Sequence, residues 1–171
     1  MKNIFKAAVV GVALLAGTYG AGAAGVCVAA ASDAPAAHQV ITRNGENPTT
    51  RLSKEIFTGD ASHNRIWRSL GDTTVSGSYV TFQPGARASW HTHPKGQLLV
   101  VTFGKGLVQE WGQPIQEINA GDVIWCPPGV KHWHGGGYDT MMTHISVCEA
   151  VDGKNVTWLE KVSDEQYYGR K

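Results

Sequence analysis

Three histidines and one glutamine have the residue types and the spacing of a metal site. His91 and His93 are separated by one residue, so on an extended strand both side chains project from the same face. Gln97 follows after a short turn, and His132 comes 35 residues later. Imidazole nitrogens bind Mn, Fe, Ni, Cu or Zn, and an amide oxygen is a hard, neutral donor. We therefore predict that these four side chains close around one divalent cation.

The neutral amide of Gln97 sets the charge of this predicted site. A glutamate in its place would reduce the net charge of a divalent site to about +1, whereas Gln97 keeps the full charge. The cation would then be a stronger Lewis acid toward a hydroxyl group or an anion. Two readings without catalysis stay open: the metal only stabilises the fold, or the histidines only form hydrogen bonds. Closed structural sites usually have four tight N or S ligands, which favours a reactive centre here.

Two further histidines are candidates for proton transfer. His134 follows His132 by two residues and shares its face on a strand. His144 begins an alternating set on the next predicted strand. A free imidazole beside a metal can act as a general acid or base. We take His144 first and His134 second as catalytic residues, the alternative for each being a hydrogen-bonded structural histidine.

Small and apolar side chains of the same parity are expected to form the wall of a substrate pocket. The predicted wall residues are Ser78, Val80, Phe82, Met142, Ser146 and Cys148.

Three other residue types are considered for chemistry. Arg87 is the arginine that could bind an anion, although spacing does not decide whether its side chain points into the pocket. The sequence shows no partner for His63. Cys126 and Cys148 could form a disulfide, although two buried free thiols are the expected state.

Short strands separated by tight turns must position these residues. β-Branched and aromatic runs alternate with Gly, Pro and Asn turns, and seven prolines and 21 glycines leave little room for helix. Only residues 163–167 have an N-cap and a helical turn or two. This pattern predicts an all-β fold, a small double-sheet jelly-roll barrel with a short C-terminal helical tail. The predicted strands are 78–82, 98–103, 115–118, 123–126 and 143–147.

The N-terminal segment has the pattern of a secretory signal peptide. Lys2 and Lys6 precede an apolar run at 7–16, and small residues follow up to position 31. The apolar run is short for a membrane span, so a retained anchor is the weaker alternative. We predict a signal peptide at 1–31, a flexible arm at 32–50 and a barrel at 51–171, in a secreted or periplasmic protein.

The charge balance excludes some partner classes. Without residues 1–31, which carry two lysines and no acid, 13 basic side chains would face 14 acidic ones, a net charge of −1. The sequence has no basic stripe of the kind that binds nucleic acid. We therefore expect a small-molecule substrate, no nucleic acid, and no membrane association after signal cleavage.

Two gapped motifs resemble those of the cupin superfamily over roughly residues 70–150. The spacings resemble G(X)5HXH(X)3E(X)6G and G(X)5PXG(X)2H(X)3N. The first motif is carried by Gly85, His91, His93, Gln97 and Gly104, and the second by Gly121, Pro127, Gly129 and His132. Gln97 stands where the family usually has Glu, and Gly136 where it often has Asn. The resemblance implies a single cupin barrel.

A narrower resemblance, which reaches the tail at 164–167, is to the bacterial manganese-dependent cupin hydroxynitrile lyases. It implies reversible cleavage of (R)-mandelonitrile-like cyanohydrins, with Mn bound by His91, His93, Gln97 and His132. Fe, Zn, Ni and Cu are the alternative metals, and a homodimer or homotetramer is expected. The signal peptide is a departure from that family. The alternative functions are a metal-dependent oxidoreductase or dioxygenase, an isomerase or decarboxylase of a small oxo-acid, and a non-enzymatic periplasmic binder.

Overall fold

The computed structural model describes residues 38–169, in which twelve β-strands and one short helix are present. The predicted signal peptide at 1–31 and the first part of the predicted arm lie outside the described residues. The strands are β1 (Thr49–Arg51), β2 (Phe57–Thr58), β3 (Ala61–Trp67), β4 (Val75–Phe82), β5 (Arg87–Ala88), β6 (His91–Thr92), β7 (Gln97–Glu110), β8 (Gln116–Asn119), β9 (Val123–Cys126), β10 (His132–Gly136), β11 (Met142–Glu149) and β12 (Thr157–Trp158), and the helix is α1 (Asp164–Tyr167). The all-β prediction with a short C-terminal helix is confirmed.

Strand β7 belongs to two sheets. Its first half pairs antiparallel with β11 and β9, and its second half pairs with β10 and β8. The first sheet continues from β11 through β4 and β3 to β1, and the second continues from β10 to β5 and β2. Gly104 lies between the halves with a φ of +72°, and a Cβ there would lie 2.1 Å from the carbonyl oxygen of Met141. Only glycine therefore fits this passage between the sheets.

Alternation along the first sheet determines which side chains face inward. His144 pairs with Val80, and Ser146 pairs with Ser78, so these four side chains share the inner face of β11 and β4. Ile145 lies between them on the outer face. The predicted parity of these strands is therefore confirmed.

Two apolar clusters fill the interior, and Phe82 of the larger one contacts the rings of His134 and His144. The larger cluster contains Phe57, Ala61, Phe82, Ala86, Ala88, Val101, Val108, Ile118 and Met142. The smaller one contains Trp90, Leu107, Trp133, Val162 and Tyr167. The C-terminal tail is thus part of the core, because Val162 and Tyr167 are almost completely buried.

The tail is fixed by a buried arginine and a capped helix. The Arg87 guanidinium donates to the carbonyl oxygen of Val162 and forms an ion pair with Asp164 at 2.6 Å. Ser163 caps α1 in a reciprocal capping box with Gln166. Arg87 is therefore used by the fold and is not directed at a ligand.

The N-terminal part of the described chain is exposed up to the first strand pair. Strand β1 begins at Thr49 and pairs with β3, so strand structure extends two residues into the segment predicted as an arm. The β-branched threonines at 49 and 50 suit this edge position. Among residues 38–169, no helix is long and apolar enough to cross a membrane.

Candidate metal centre and cavity

Three imidazoles predicted as ligands converge in the structure. The ligand nitrogens of His91, His93 and His132 all lie within 4.8 Å of one another, and the three residues are buried. His91 on β6 pairs directly with His132 at the start of β10. His93 follows β6, just before the turn closed by Gly96. Spacing along one strand and pairing between strands thus bring the three rings together.

The backbone orients each imidazole. Nδ1–H of His91 donates to the Ser89 carbonyl at 2.8 Å, and Nδ1–H of His132 donates to the Val130 carbonyl at 2.9 Å. Nδ1–H of His93 donates to the carbonyl of Asn155. Because a neutral imidazole carries one proton, each Nε2 keeps a lone pair directed at the centre of the cluster.

Several of these nitrogen lone pairs have no hydrogen-bond donor among the described residues, and a bound cation would satisfy them. Nε2 of His91 and Nε2 of His93 are buried without a hydrogen bond in the described residues. Nε2 of His132 lies 3.0 Å from Oε1 of Gln97, and both atoms are lone-pair donors in this tautomer. Nitrogen and oxygen donors of this kind fit a divalent transition metal, which His91, His93, His132 and Gln97 could hold.

Burial keeps the imidazoles neutral. Desolvation lowers the pKa of His93 to about 4 and holds the pKa of His91 well below its usual value. It also lowers the pKa of His132. Metal binding requires unprotonated imidazole, so these shifts favour a cation over bound protons at neutral pH.

Gln97 begins β7 between two cysteine-bearing strands. Cys126 of β9 and Cys148 of β11 are its register partners on opposite sides. Two strand spacings, about 10 Å, therefore separate the cysteines, which exceeds the range of a disulfide. Both are free, buried thiols, as expected. Burial raises the pKa of Cys126 to about 12, so this thiol is not a nucleophile at neutral pH.

A cavity of about 230 Å³ opens beside the imidazole cluster. Four of the predicted wall residues line it, namely Ser78, Val80, Ser146 and Cys148. The other two require a correction, because Phe82 and Met142 are completely buried in the larger apolar cluster. They pair with each other where β4 ends and β11 begins, and there their side chains pack within the larger apolar cluster.

The two histidines predicted for proton transfer form a pair. Nε2 of His144 lies 3.1 Å from Nδ1 of His134. His134 lines the cavity, and its Nε2 has no hydrogen-bond partner in the described part of the chain. His144 is completely buried and does not reach the cavity. His134 is therefore the member of the pair that faces the cavity, and His144 contacts it from the side away from the cavity.

Burial also governs the protonation of this pair. Desolvation holds the pKa of His134 well below its usual value, and the neighbouring histidines act in the same direction. Desolvation lowers the pKa of His144 to about 4, with a smaller opposing effect from the backbone of Ile145. Both rings are therefore neutral at neutral pH, and each keeps one unprotonated nitrogen.

Several cavity residues have no clear signal in the sequence. Strand β3 directs His63 and Arg65 inward, on the face of the buried Ala61. Trp158 of β12 lies against the His91 ring with 4.8 Å between ring centroids. Strand alternation from Ala61 could have suggested that His63 and Arg65 face inward, but the polar residues of this segment give no hydrophobic periodicity. The full additional set is Leu52, Phe57, His63, Arg65, Asn155, Val156 and Trp158.

Known proteins resemble this chain in both sequence and fold. Residues 78–148 match the Cupin domain family. The chain is 46% identical over 127 residues to an (R)-mandelonitrile lyase from Granulicella tundricola, covering 74% of this chain and 97% of that protein. A cupin-like protein from Thermotoga maritima matches at 36% identity and a TM-score of 0.65, over 77% of this chain and 97% of its own.

A more distant structure shares the fold alone. A polyketide cyclase from Streptomyces resistomycificus matches at 14% identity and a TM-score of 0.61, over 76% of this chain and 91% of its own. This chain belongs to the cupin superfamily, close to the (R)-mandelonitrile lyases.

Proposed function

We propose that this protein is a metal-dependent lyase that cleaves and forms (R)-mandelonitrile-like cyanohydrins. The observation that carries the proposal is the Nε2 of His134, which has no hydrogen-bond partner among the described residues, on a ring that lines the same small cavity as His91 and His93. A ligand cluster and a neutral base on one cavity suit the removal of a hydroxyl proton. The 46% identity to an (R)-mandelonitrile lyase supports this choice of reaction.

We propose Mn as the metal, with Fe, Zn, Ni and Cu as alternatives. His91, His93, His132 and Gln97 would hold it. When bound, the divalent ion supplies the Lewis acidity that lowers the pKa of a cyanohydrin hydroxyl. Gln97 would provide an oxygen ligand without a negative charge, so none of the four protein ligands would offset the positive charge of the ion.

In this proposal, His134 transfers the proton. Nδ1 of His134 and Nε2 of His144 lie 3.1 Å apart, and in the tautomer that this mechanism requires, Nδ1–H of His134 donates to His144 and leaves the Nε2 lone pair of His134 free for the substrate. His134 takes the hydroxyl proton while the bond between the carbinol carbon and the nitrile carbon breaks, and the electron pair departs with cyanide. His134 then returns the proton, so the products are an aldehyde and hydrogen cyanide. His144 positions the base and shares its transient positive charge.

Apolar residues would hold the rest of the substrate. Phe57, Val80 and Trp158 line the cavity beside the cluster, and its volume of about 230 Å³ suits a small molecule. These side chains would bind an aryl or alkyl group and exclude water from the reacting carbon. The orientation that they impose would select one cyanohydrin enantiomer.

Elemental analysis and an assay of benzaldehyde release from (R)-mandelonitrile test the proposal. We expect about one metal ion per chain in natively purified protein and benzaldehyde production that stops when a chelator removes the ion. His134→Ala should lower turnover by about 10²–10⁴-fold and retain the metal. Oxygen consumption would favour the oxidoreductase alternative, and inactivity of fully loaded protein toward cyanohydrins would refute the lyase.

We also propose that the protein is exported after removal of residues 1–31. Its basic start and apolar run support this, although that segment lies outside the described residues. Mass spectrometry of the protein from the periplasmic fraction would give the mature N-terminus. An intact Met1 in protein recovered only from the cytoplasm would contradict the proposal.

We propose that two copies associate through the outer face of the first sheet, in a homodimer or as half of a homotetramer. Apolar side chains on adjacent strands meet there, because Val100 pairs with both Val123 and Ile145, and Ile145 pairs with Tyr79. A flat apolar face can pair with itself about a two-fold axis. Light scattering should show Val123→Glu to be monomeric and the control Val40→Glu to be unchanged.

A further inference from the structure

The cavity contains a cationic group that the proposed reaction does not use. Arg65 and His63 lie on the inner face of β3, where Arg65 pairs with Ser78 and His63 pairs with Val80. Both line the same cavity as His91 and His93. Strand β3 therefore forms a polar wall in the cavity that also contains the predicted metal ligands.

Arg65 has no partner within the part of the chain that the structure describes. Hydrogen bonds and ion pairs engage Arg87 and several lysines, but none involves the Arg65 guanidinium. Arg65 is only partly exposed. A guanidinium withdrawn from water loses hydration, and a planar anion can compensate by accepting two parallel hydrogen bonds.

The other lining residues leave this charge unneutralised. Among the residues that the structure describes, no Asp or Glu lines the cavity. Burial, aided by the charge of Arg65, lowers the pKa of His63, so His63 is a neutral hydrogen-bonding group beside it. An anion entering the cavity would thus meet one fixed positive charge without a competing carboxylate.

We propose that the cavity binds substrates that carry a carboxylate, with Arg65 as the carboxylate-binding group and His63 as its neighbour. This rests on the proposed lyase function: the substrate would be a cyanohydrin of a carboxylate-bearing aldehyde, with its hydroxyl toward the imidazole cluster. The apolar residues Leu52, Phe57 and Val156 would lie along the carbon frame between the two polar ends. The planar fork of arginine matches a carboxylate through two parallel hydrogen bonds.

The test compares two cyanohydrins of similar size, those of 4-formylbenzoate and 4-formylbenzamide, with the metal-loaded protein. We expect kcat/KM to be at least about tenfold higher for the carboxylate, mainly through a lower KM. Arg65→Gln should remove this preference, and Arg65→Lys should restore part of it. Arg68→Gln is the matched control, because it removes the same charge from an exposed position three residues away and should keep the preference.

Direct binding separates this proposal from the lyase proposal. Calorimetry should show that benzoate binds the metal-loaded protein at least about tenfold more tightly than it binds Arg65→Gln, with unchanged melting temperature. If benzoate binding depends on Arg65 but neither cyanohydrin is cleaved, the lyase fails and the carboxylate site stands. Equal benzoate binding to the two proteins, or tighter Arg65-dependent binding of inorganic phosphate, would overturn the carboxylate site.

Discussion

The amide of Gln97 is oriented by the hydroxyl of Ser146. Nε2 of Gln97 donates to Oγ of Ser146 at 2.9 Å, and Oε1 of the same amide lies 3.0 Å from Nε2 of His132. An amide has one donor end and one acceptor end, so the serine directs the oxygen toward the imidazoles. Ser146 thereby holds the amide in the orientation in which Gln97 could bind a metal.

Ser146→Ala is expected to weaken metal binding. Loss of the acceptor for Nε2 lets the Gln97 amide rotate and removes a contact that supports a ligand, which typically costs about 10–100-fold in metal affinity. Competition with a fluorescent chelator measures the change. Ser78→Ala is the matched control, because Ser78 pairs with Ser146 across the strands and lines the cavity. An equal loss of affinity in both variants would contradict this role of Ser146.

Gln97→Glu is expected to separate metal affinity from activity. A carboxylate binds a divalent ion more tightly but lowers the net charge of the site to about +1. We expect slower metal loss to a chelator and a reduction of about tenfold or more in kcat for (R)-mandelonitrile. Stopped-flow metal release and steady-state kinetics on the same preparation measure both quantities. A variant that gained both affinity and kcat would show that charge does not limit the reaction.

The two histidines of the proton-transfer pair should differ in the size of their effects. His134→Ala removes the group that faces the substrate, so we expect kcat to fall about 10²–10⁴-fold. His144→Gln retains a polar partner for Nδ1 of His134, and we expect a smaller loss of about tenfold. Elemental analysis must show the metal retained in both variants. A larger loss in His144→Gln would assign the base to His144.

The buried thiols should resist alkylation at alkaline pH. Burial raises the pKa of Cys126 to about 12 and also raises that of Cys148, so both stay protonated at pH 8–9. Mass spectrometry should find no iodoacetamide adduct on either residue in the folded protein and adducts on both in urea. The pKa of the Cys126 thiol is higher in the folded protein than in the unfolded chain. Keeping this thiol protonated therefore favours the folded state at neutral pH. This contribution to the free energy of unfolding decreases as the pH rises from about 9 toward 12.

Gly104→Ala should destabilise the fold strongly. The residue has a φ of +72°, and the new Cβ would lie 2.1 Å from the carbonyl oxygen of Met141 in the chain passage between the sheets. We expect a loss of about 3 kcal/mol or more in the free energy of unfolding. Gly112→Ala is the control, since its φ is +81° but its Cβ would meet no atom within 4 Å. Its cost should be about 1 kcal/mol, and denaturant titration compares the two.

Local spacing is sufficient to predict that His91 and His93 lie together, because His93 directly follows the two-residue strand β6 that begins at His91. The positions of the proton-transfer pair were harder to predict. His144 lies behind His134 because of strand pairing across the sheets and a register shift next to it in β11, which is long-range information. Arg65 points inward because of the way β3 pairs with β4. Its sequence neighbours are polar, so they show no alternation of apolar and polar residues from which this direction could be predicted.

The three backbone carbonyls that orient the imidazoles come from distant parts of the chain. Ser89 precedes β6, Val130 precedes β10, and Asn155 lies in the connection from β11 to β12. The ligand geometry therefore depends on segments that only the folded chain brings together, whereas in a zinc finger the binding of the ion drives the fold. An ion bound after folding would be decided by the metal supply of the compartment in which the chain finishes folding.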